Sequence, residues 1–546
     1  MFKLYNTSYK IPNETINSII FPLIPLNIFQ TWHTKDVPIK MRENIETLKK
    51  HNPEFTYHLY DDKMCIDFIK EHFSEEIVWA FDKLKPGAYK ADLWRYCILY
   101  INGGIYLDIK FKCIDNFKLI ELTDKEYWVR DIKYHSVKSI YQALLVTFPK
   151  NEILWKGIQS ILHVCKINNY SFNPLAVSGP SLLGGFFNEI DFKQFSLYNT
   201  GNIIMKQDRR ILQHYDEYRK EQLKGQRNKH YDFLWNNLDI YNYPVLKPEN
   251  KINISNKYPY IVNKQQITYH SSVPIIIENN NLIHVYIEYT DDFFSPEGYK
   301  SFSNVDDKST FSISKYDFDF NIKRKEYFFN FSEKSSHNLT ICLFDNDIYY
   351  KCNHFNDKLN QYRFSSNKLD INNNNNIADV NIVNENSYKT NKSINNPSAM
   401  YCLKDKKLMI YNWFPLLVGH IDYDTNVIKI DKLNYEVPEI FKHVTNASTG
   451  INHNNDVWFI LNIKQSHLFN GLHIYNNKHF FAVFDQDMKF KRYSELFSFT
   501  ESKNDFCRSF IFKDDDIIIG YGMSNIECYI AKYNFKNLCK TLRWFC

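Results

Sequence analysis

Between Ala88 and Lys110 the chain passes from a helical run that is apolar on nearly every side, through Asn102-Gly103-Gly104, into a short alternating segment, IYLDIK. That passage constrains the fold more than any other stretch. A helix apolar all round belongs inside a protein, so other layers must cover residues 88–101. Glycine takes the left-handed conformation that ends a helix at little cost and lets a backbone approach closely. The alternation beyond it predicts a strand through Lys110, with Ile105, Leu107 and Ile109 on one face and Tyr106, Asp108 and Lys110 on the other. On such a strand Asp108 and Lys110 stand side by side, ~7 Å apart. Asp92 and Arg95, three residues apart in the helix, share a face. Buried charges need partners or a polar cavity. By itself the pair reads as a structural ion pair; in front of a strand carrying Tyr, Asp and Lys it reads as a site for a charged, sugar-bearing ligand.

The chain up to about His270 supplies the covering layers. LNIFQTW and FTYHLYD read as strands, and MRENIETLKKHN, DKMCIDFIKEHF and EEIVWAFDKL as helices with apolar residues at three- and four-residue spacing. Strands alternating with helices predict an α/β layered domain. A chain of 546 residues exceeds one ordinary core. The expected division is an N-terminal extension over 1–22, an α/β domain over 23–273 and an all-β domain over 274–546.

The second part holds five similar pieces, each strand, tight Asp/Asn/Lys turn and strand: IIIENNNLIHVYI, CLFDNDIYYKC, YCLKDKKLMIYNW, INHNNDVWFIL and FIFKDDDIIIGYG. Their spacing is that of a repeated four-stranded blade, which predicts a five-bladed propeller from about Ile275 to Phe545. The alternative is a β-sandwich with long loops. The Asn372–Asn376 run reads as a solvated loop insertion.

Composition excludes some classes. Lys+Arg 67 against Asp+Glu 62 leaves a net charge of +5, too balanced for a protein that coats nucleic acid. The eleven cysteines include no C-x-x-C pair and fit free thiols in a reducing compartment. Several N-x-S/T sequons occur, as an Asn-rich chain produces by chance. The first residues lack a basic segment followed by a sustained apolar core, Pro22 and Pro25 interrupt the one greasy stretch, and no run approaches the roughly 20 apolar residues that span a bilayer. The expectation is a soluble, cytoplasmic protein without a membrane span.

IFQTWHTKDVP, LYDDKMCIDFI, LKPGAYKADLWRYCILYINGGIYLDIK and, later, VSGPSLL and ITYHSS resemble glycosyltransferase family 32. The likeness is dense from Asn27 to about Phe117 and thins to isolated anchors as far as Ser272. It implies a GT-A fold, that is, a Rossmann-like mononucleotide-binding α/β domain, and transfer of a sugar from a nucleotide-sugar donor to a glycan or glycoprotein acceptor with retention of configuration. By that resemblance Gln30 and Trp32 lie at the nucleotide base, Asp92 and Arg95 hold the donor sugar and phosphates, and Tyr106 and Asp108 contact ribose, phosphate and a divalent cation, Mn²⁺ or Mg²⁺. Gly103 and Gly104 are grouped with the donor-binding residues. His270 and Ser272 take the place of a late His and Ser-Trp pair, here without the Trp. Core packing is the competing explanation for Trp32.

The family pattern is D-x-D, and this chain has Lys110 at the second place. A protonated lysine cannot ligate a cation and repels one. Three outcomes are open. Lys110 can replace the metal at the departing diphosphate; the metal can persist on Asp108, the diphosphate and a late residue such as His270 or Ser272; or the transferase has lapsed and only binds.

The second part resembles five-bladed propellers of the mannoside-phosphorylase group through Asn412-Trp413-Phe414-Pro415 and Gly520-Tyr521-Gly522, with Ser524-Asn525 in place of an acidic step. Glycoside cleavage needs two carboxylates, and no pair stands out. A glycan- or acceptor-binding role is favoured, with Trp413, His420 and His473 at the mouth, although core packing explains Trp413 at least as well. The reading is a nucleotide-sugar-dependent hexosyl- or N-acetylhexosaminyltransferase of the UDP- or GDP-linked kind. The alternatives are a glycan-binding protein on a lapsed transferase, or a phosphorylase or hydrolase acting through the propeller. A cytosolic sugar transferase with AT-rich coding suits a bacterium or a large DNA virus in its host's cytoplasm.

Overall fold

The structure, a computed structural model, describes residues 9–10, 19–132, 138–225, 229–255, 257–262, 265–271, 273–290, 310–330, 337–344, 347–356, 361–369, 381–383, 399–403, 406–422, 427–502, 504–523 and 527–546. The Asn372–Asn376 run and most of the expected 1–22 extension lie outside these residues. Two compact units divide the chain, Met1–Asn242 and Tyr243–Cys546.

The first unit follows the sequence periodicity. Strand β1 (Asn27–Thr31), helix α1 (Ile39–His51), β2 (Thr56–Tyr60), α2 (Asp62–His72), α3 (Glu75–Lys83), α4 (Gly87–Asn102) and β3 (Gly104–Leu107) come first. Then come β4 (Phe111–Cys113), β5 (Tyr127–Arg130), β6 (Ile140–Thr147), α5 (Glu152–Lys166), α6 (Pro180–Gly184), β7 (Leu197–Asn199), β8 (Ile203–Lys206) and β9 (Arg209–His214). The strands form one mixed sheet in the order β2-β1-β3-β6-β5-β7-β8-β9-β4. β1 pairs in parallel with both β2 and β3, whereas β3 pairs antiparallel with β6.

Helix α4 explains why this sheet forms where it does. Leu93, Trp94, Tyr96, Cys97, Ile98 and Leu99 are all buried, as a helix apolar on every side requires. It packs against α5, α2, α3 and β3. Gly103 (φ +62°) ends it, its N–H bonding to the Leu99 carbonyl. A Cβ on Gly103 would meet the Pro149 ring at 2.6 Å, and one on Gly104 (φ +106°) would meet the Asn27 carbonyl at 2.8 Å. Both positions therefore require glycine for backbone approach, and both lie at the start of β3. The apolar cluster of Ile28, Ile105, Leu107, Phe111, Leu144 and Val146 forms behind that approach.

The second unit is built of mainly antiparallel sheets, with one parallel pair, Asn381–Val383 beside Val427–Tyr435, and each of the five strand-turn-strand pieces is a hairpin. They are Ile275–Asn279 with Leu282–Thr290, His337–Phe344 with Asp347–Asn356, Ala399–Leu403 with Lys406–Trp413, Ile451–His453 with Asp456–Phe469, and Asp505–Lys513 with Asp516–Met523. Asn280, Asn281, Asn454, Asn455 and Asp514 sit in the turns with φ between 51° and 63°, the left-handed geometry that tight hairpins demand and that Asn and Asp tolerate. The first strands of the five hairpins touch in a closed succession: first to second, second to third, third to fourth, fourth to fifth and fifth to first.

The expected boundary at 273/274 falls inside this unit. Asn250–Asn253 pairs with Glu527–Asn534 and adds an edge strand to the last sheet. A strand from before the repeats thus completes the final one, which sequence periodicity could not reveal. His270, in Gln265–Ser271 opposite Lys257, belongs to the second unit, and Ser272 lies outside the described residues.

Candidate functional site at the carboxyl ends of the parallel strands

The order β2-β1-β3 sets the position. From β1 the chain reaches β2 on one side and β3 on the other, so a crevice opens where the carboxyl ends of β1 and β3 diverge, the place where open α/β sheets bind ligands. At the end of β1 stand Thr31 and Trp32; at the end of β3 stand Leu107 and Asp108.

Trp32 and the residues that follow line a cleft of about 670 Å³ with Asp36, Val37, Pro38, Arg42 and Glu43. The indole is partly exposed and rests on the cluster of Val37, Met41, Ile45, Ile109, Tyr215 and Tyr218. Gln30 is fully buried in β1. Its Oε1 accepts a 2.8 Å hydrogen bond from the Tyr57 hydroxyl, and its Nε2 has no hydrogen-bond partner among the described residues.

β3 ends at Leu107, so the strand expected through Lys110 stops short. Residues 108–111 form a turn closed by the Phe111 N–H on the Asp108 carbonyl at 3.1 Å. Two anchors hold the turn: the Asn44 Nδ2 donates to the carbonyls of Ile109 and Phe111, and the Tyr215 N–H donates to that of Lys110. Periodicity missed the turn because apolar and polar residues alternate through it as they do in a strand. The consequence is chemical: Lys110 folds back, its Nζ 2.7 Å from Asp108 Oδ2, instead of standing apart from it.

Asp108 is the hub. Its Oδ1 accepts a 2.8 Å bond from the Tyr106 hydroxyl and lies 3.8 Å from Arg95 Nη1. Burial pushes its pKa up, but the Lys110 ammonium and the Arg95 guanidinium outweigh that and hold it at about 2. On α4, Arg95 Nη2 lies 3.3 Å from Asp92 Oδ1, Nη1 donates to the Gln142 carbonyl at 2.7 Å, and the guanidinium sits over the Tyr106 ring at 4.4 Å. Asp92 also accepts from the Ser178 hydroxyl at 2.8 Å. Burial raises its pKa to about 7, because Arg95 and Ser178 offset the desolvation only in part. Asp92, Arg95, Tyr106, Asp108 and Lys110 thus form one connected group.

Around it stand residues that sequence reasoning did not single out. The Lys110 Nζ lies 5.2 Å from the Tyr141 ring centre, on β6. His214, whose pKa falls to about 4 through burial and the nearby Lys110 charge, is held as a neutral imidazole. Ser178 comes from VSGPSLL, a stretch already notable in the sequence, and a Cβ on Gly179 would lie 3.6 Å from Asp92 Oδ2. That adjacency was the available signal. Gln142 carried none.

Gly103 and Gly104 do not join the group, since they pack on Pro149 and Asn27 at the opposite end of β3. His270 and Ser272 are not brought to it by the described residues. In the second unit Trp413 is buried among Phe441, Phe459 and Phe484, and His420 lies on Leu416–Asp422, which pairs with Lys406–Trp413. His473 lies on the Asp456–Phe469/Leu472–Asp485 hairpin, near the exposed Leu468 and Leu472 at its tip. A cavity of about 280 Å³ is lined by Ile276, Glu278, Cys342, Thr449, Asn452 and Phe512.

A divalent cation needs several oxygen ligands, and the donor set here does not fit one. Both Asp108 oxygens are engaged, by an ammonium and by a hydroxyl donor. Asp92 faces Arg95 and Ser178. Among the described residues no group of three or more His, Cys, Asp or Glu could hold a metal.

Residues 38–128 match the family described as "Glycosyltransferase sugar-binding region containing DXD motif", and the sugar-transferase resemblance read from the sequence is borne out there. Mannosyl phosphorylinositol ceramide synthase SUR1 of Saccharomyces cerevisiae is 28% identical over 198 residues, 35% of this chain and 47% of that protein. Uncharacterized glycosyltransferase L373 of Acanthamoeba polyphaga mimivirus is 38% identical over 96 residues, 17% of this chain and 38% of that protein. The chain spans less than half the length of these curated relatives. Among solved structures, a glycosyl hydrolase from Bacteroides ovatus aligns with 54% of this chain and 94% of its own at 12% identity and a TM-score of 0.37.

Proposed function

We propose that the protein is a retaining hexosyltransferase that takes its sugar from a UDP- or GDP-linked donor bound in the first unit, on a GT-A-type α/β sheet. The observation that carries the reading is the connected group Asp92–Arg95–Tyr106–Asp108–Lys110 at the carboxyl ends of parallel strands. In this reading the nucleobase lies against Trp32, and the unpaired Gln30 amide offers it a donor. The diphosphate lies at Arg95 and Lys110, and the sugar hydroxyls face Asp92. In the transfer step the bond between sugar C1 and the β-phosphate oxygen breaks with its electron pair leaving on the diphosphate. The acceptor oxygen bonds to C1, and its proton passes to the departing phosphate. Positive charge fixed at that phosphate favours the transition state over the ground state.

The second unit, in the same proposal, is a five-bladed propeller that recognises the glycan or glycoprotein acceptor. Support comes from five hairpins whose inner strands follow one another in a closed succession, a topology a two-sheet sandwich does not have. We place the protein in the cytoplasm: Cys65, Cys97, Cys165 and Cys507 are buried free thiols, which suits a reducing compartment. No described helix is long and apolar enough to cross a membrane.

The test is release of free nucleoside diphosphate from GDP-mannose, UDP-glucose, UDP-galactose and UDP-N-acetylglucosamine, with GDP-mannose first because a relative is named for mannosyl transfer. One donor should turn over, and Asp108→Ala should slow it at least about 100-fold. Undiminished turnover by that variant would refute the assignment.

A further inference from the structure

We infer that Lys110 takes the place of a divalent cation, so that the protein binds its nucleoside diphosphate without metal. The inference rests on the nucleotide-sugar reading and deepens it.

Charge balance is the first argument. Two carboxylates and a divalent cation sum to zero; one carboxylate and one ammonium also sum to zero. Replacing the second Asp by Lys removes one negative charge and adds one positive charge, so the site arrives without metal at the charge a metal would have given it. Keeping the cation as well would leave an excess of two positive charges around Asp108, with the ammonium and the ion repelling each other at close range.

Geometry is the second. A lysine at this place on a regular strand would project beside Asp108 and could turn away to solvent. The 108–111 turn prevents that. Its carbonyls are held by Asn44 and by the Tyr215 N–H, and the Lys110 side chain, 15% exposed, runs back over the Phe111 and Tyr141 rings to Asp108 Oδ2 at 2.7 Å. That oxygen is one a metal would need. An ammonium has three N–H donors, of which Asp108 engages one, so Asp108 can orient the group while it donates to phosphate. Arg95, 3.8 Å from the other oxygen of the same carboxylate, supplies a second fixed cation.

The ionisation of the neighbours is consistent with a permanent charge. Burial lowers the Lys110 pKa, but Asp108 more than restores it, so the ammonium persists throughout the physiological range. The adjacent His214 stays neutral and does not compete for the phosphate.

The test is calorimetric titration of the full chain with UDP and with GDP, in EDTA and in Mn²⁺, with the electron paramagnetic resonance of Mn²⁺ followed alongside. Wild type should bind one of them in EDTA, with affinity changed less than about threefold by Mn²⁺, and should leave the Mn²⁺ signal that of the free ion. Lys110→Ala should weaken binding in EDTA at least about tenfold. Lys110→Asp, which restores the second carboxylate, should bind only with Mn²⁺ and broaden its signal. Wild-type binding that appears only with Mn²⁺ would overturn the inference and leave the transferase reading intact. Failure of wild type to bind either diphosphate under both conditions would overturn that reading, and the inference with it. The wild-type arms stand on their own if a variant fails to fold.

Discussion

Asp92 shows what burial does to a charge that already has a partner. Arg95 is only 3.3 Å away, yet it is shared with Asp108 and with the Gln142 carbonyl, and desolvation prevails, raising the Asp92 pKa to about 7. A group whose folded-state pKa is raised above its unfolded value of about 4 contributes stability that is complete below that value and is lost as pH rises through about 7. The melting temperature of wild type minus that of Asp92→Asn should therefore fall between pH 4 and pH 7 and level off above. A difference that climbs with pH would mean that Arg95 stabilises the carboxylate outright. The pairing of Asp92 with Arg95 was legible from their spacing; its balance was not, because the competing contacts come from Ser178 and Gln142, dozens of residues away.

At the scale of elements, the α4–β3 junction was read correctly as a glycine-dependent break, while its purpose was read two ways. The structure puts Gly103 and Gly104 against Pro149 and the Asn27 backbone, far along β3 from Asp108. Gly104→Ala should destabilise the protein by on the order of 2 kcal/mol, from positive φ and the clash together, and leave nucleoside diphosphate affinity per folded molecule unchanged. Thermal melts with calorimetry on the folded fraction check this; weakened binding at normal stability would return the glycines to the site. The end of β3 was the sequence's blind spot. Alternation of apolar and polar residues continues through a turn, and only hydrogen bonds from Asn44 and Tyr215, at long sequence separation, distinguish the two. The helices and strands before it were plain because their periodicity is local.

For the whole molecule, the five hairpins were legible because short Asp-, Asn- and Lys-rich stretches separate their strands in the sequence, and in the first, fourth and fifth Asn or Asp takes the left-handed turn position, whereas the boundary was not. Asn250–Asn253 has no periodic signature of its own and joins its sheet through a partner strand nearly three hundred residues away. His270 falls in the second unit, and the donor site proposed above is left to residues before Asn242. Trp413 of the NWFP stretch takes the packing role that was open to it from the sequence, buried against Phe459. Whether the first unit by itself contains a nucleotide-sugar site is decided by a crystal structure of the chain grown with UDP or GDP in EDTA. It should show the base against Trp32 and the β-phosphate within hydrogen-bond distance of Lys110 Nζ. A nucleotide seated anywhere else, or one that reaches Asp108 only through a metal ion, would overturn this placement of the donor.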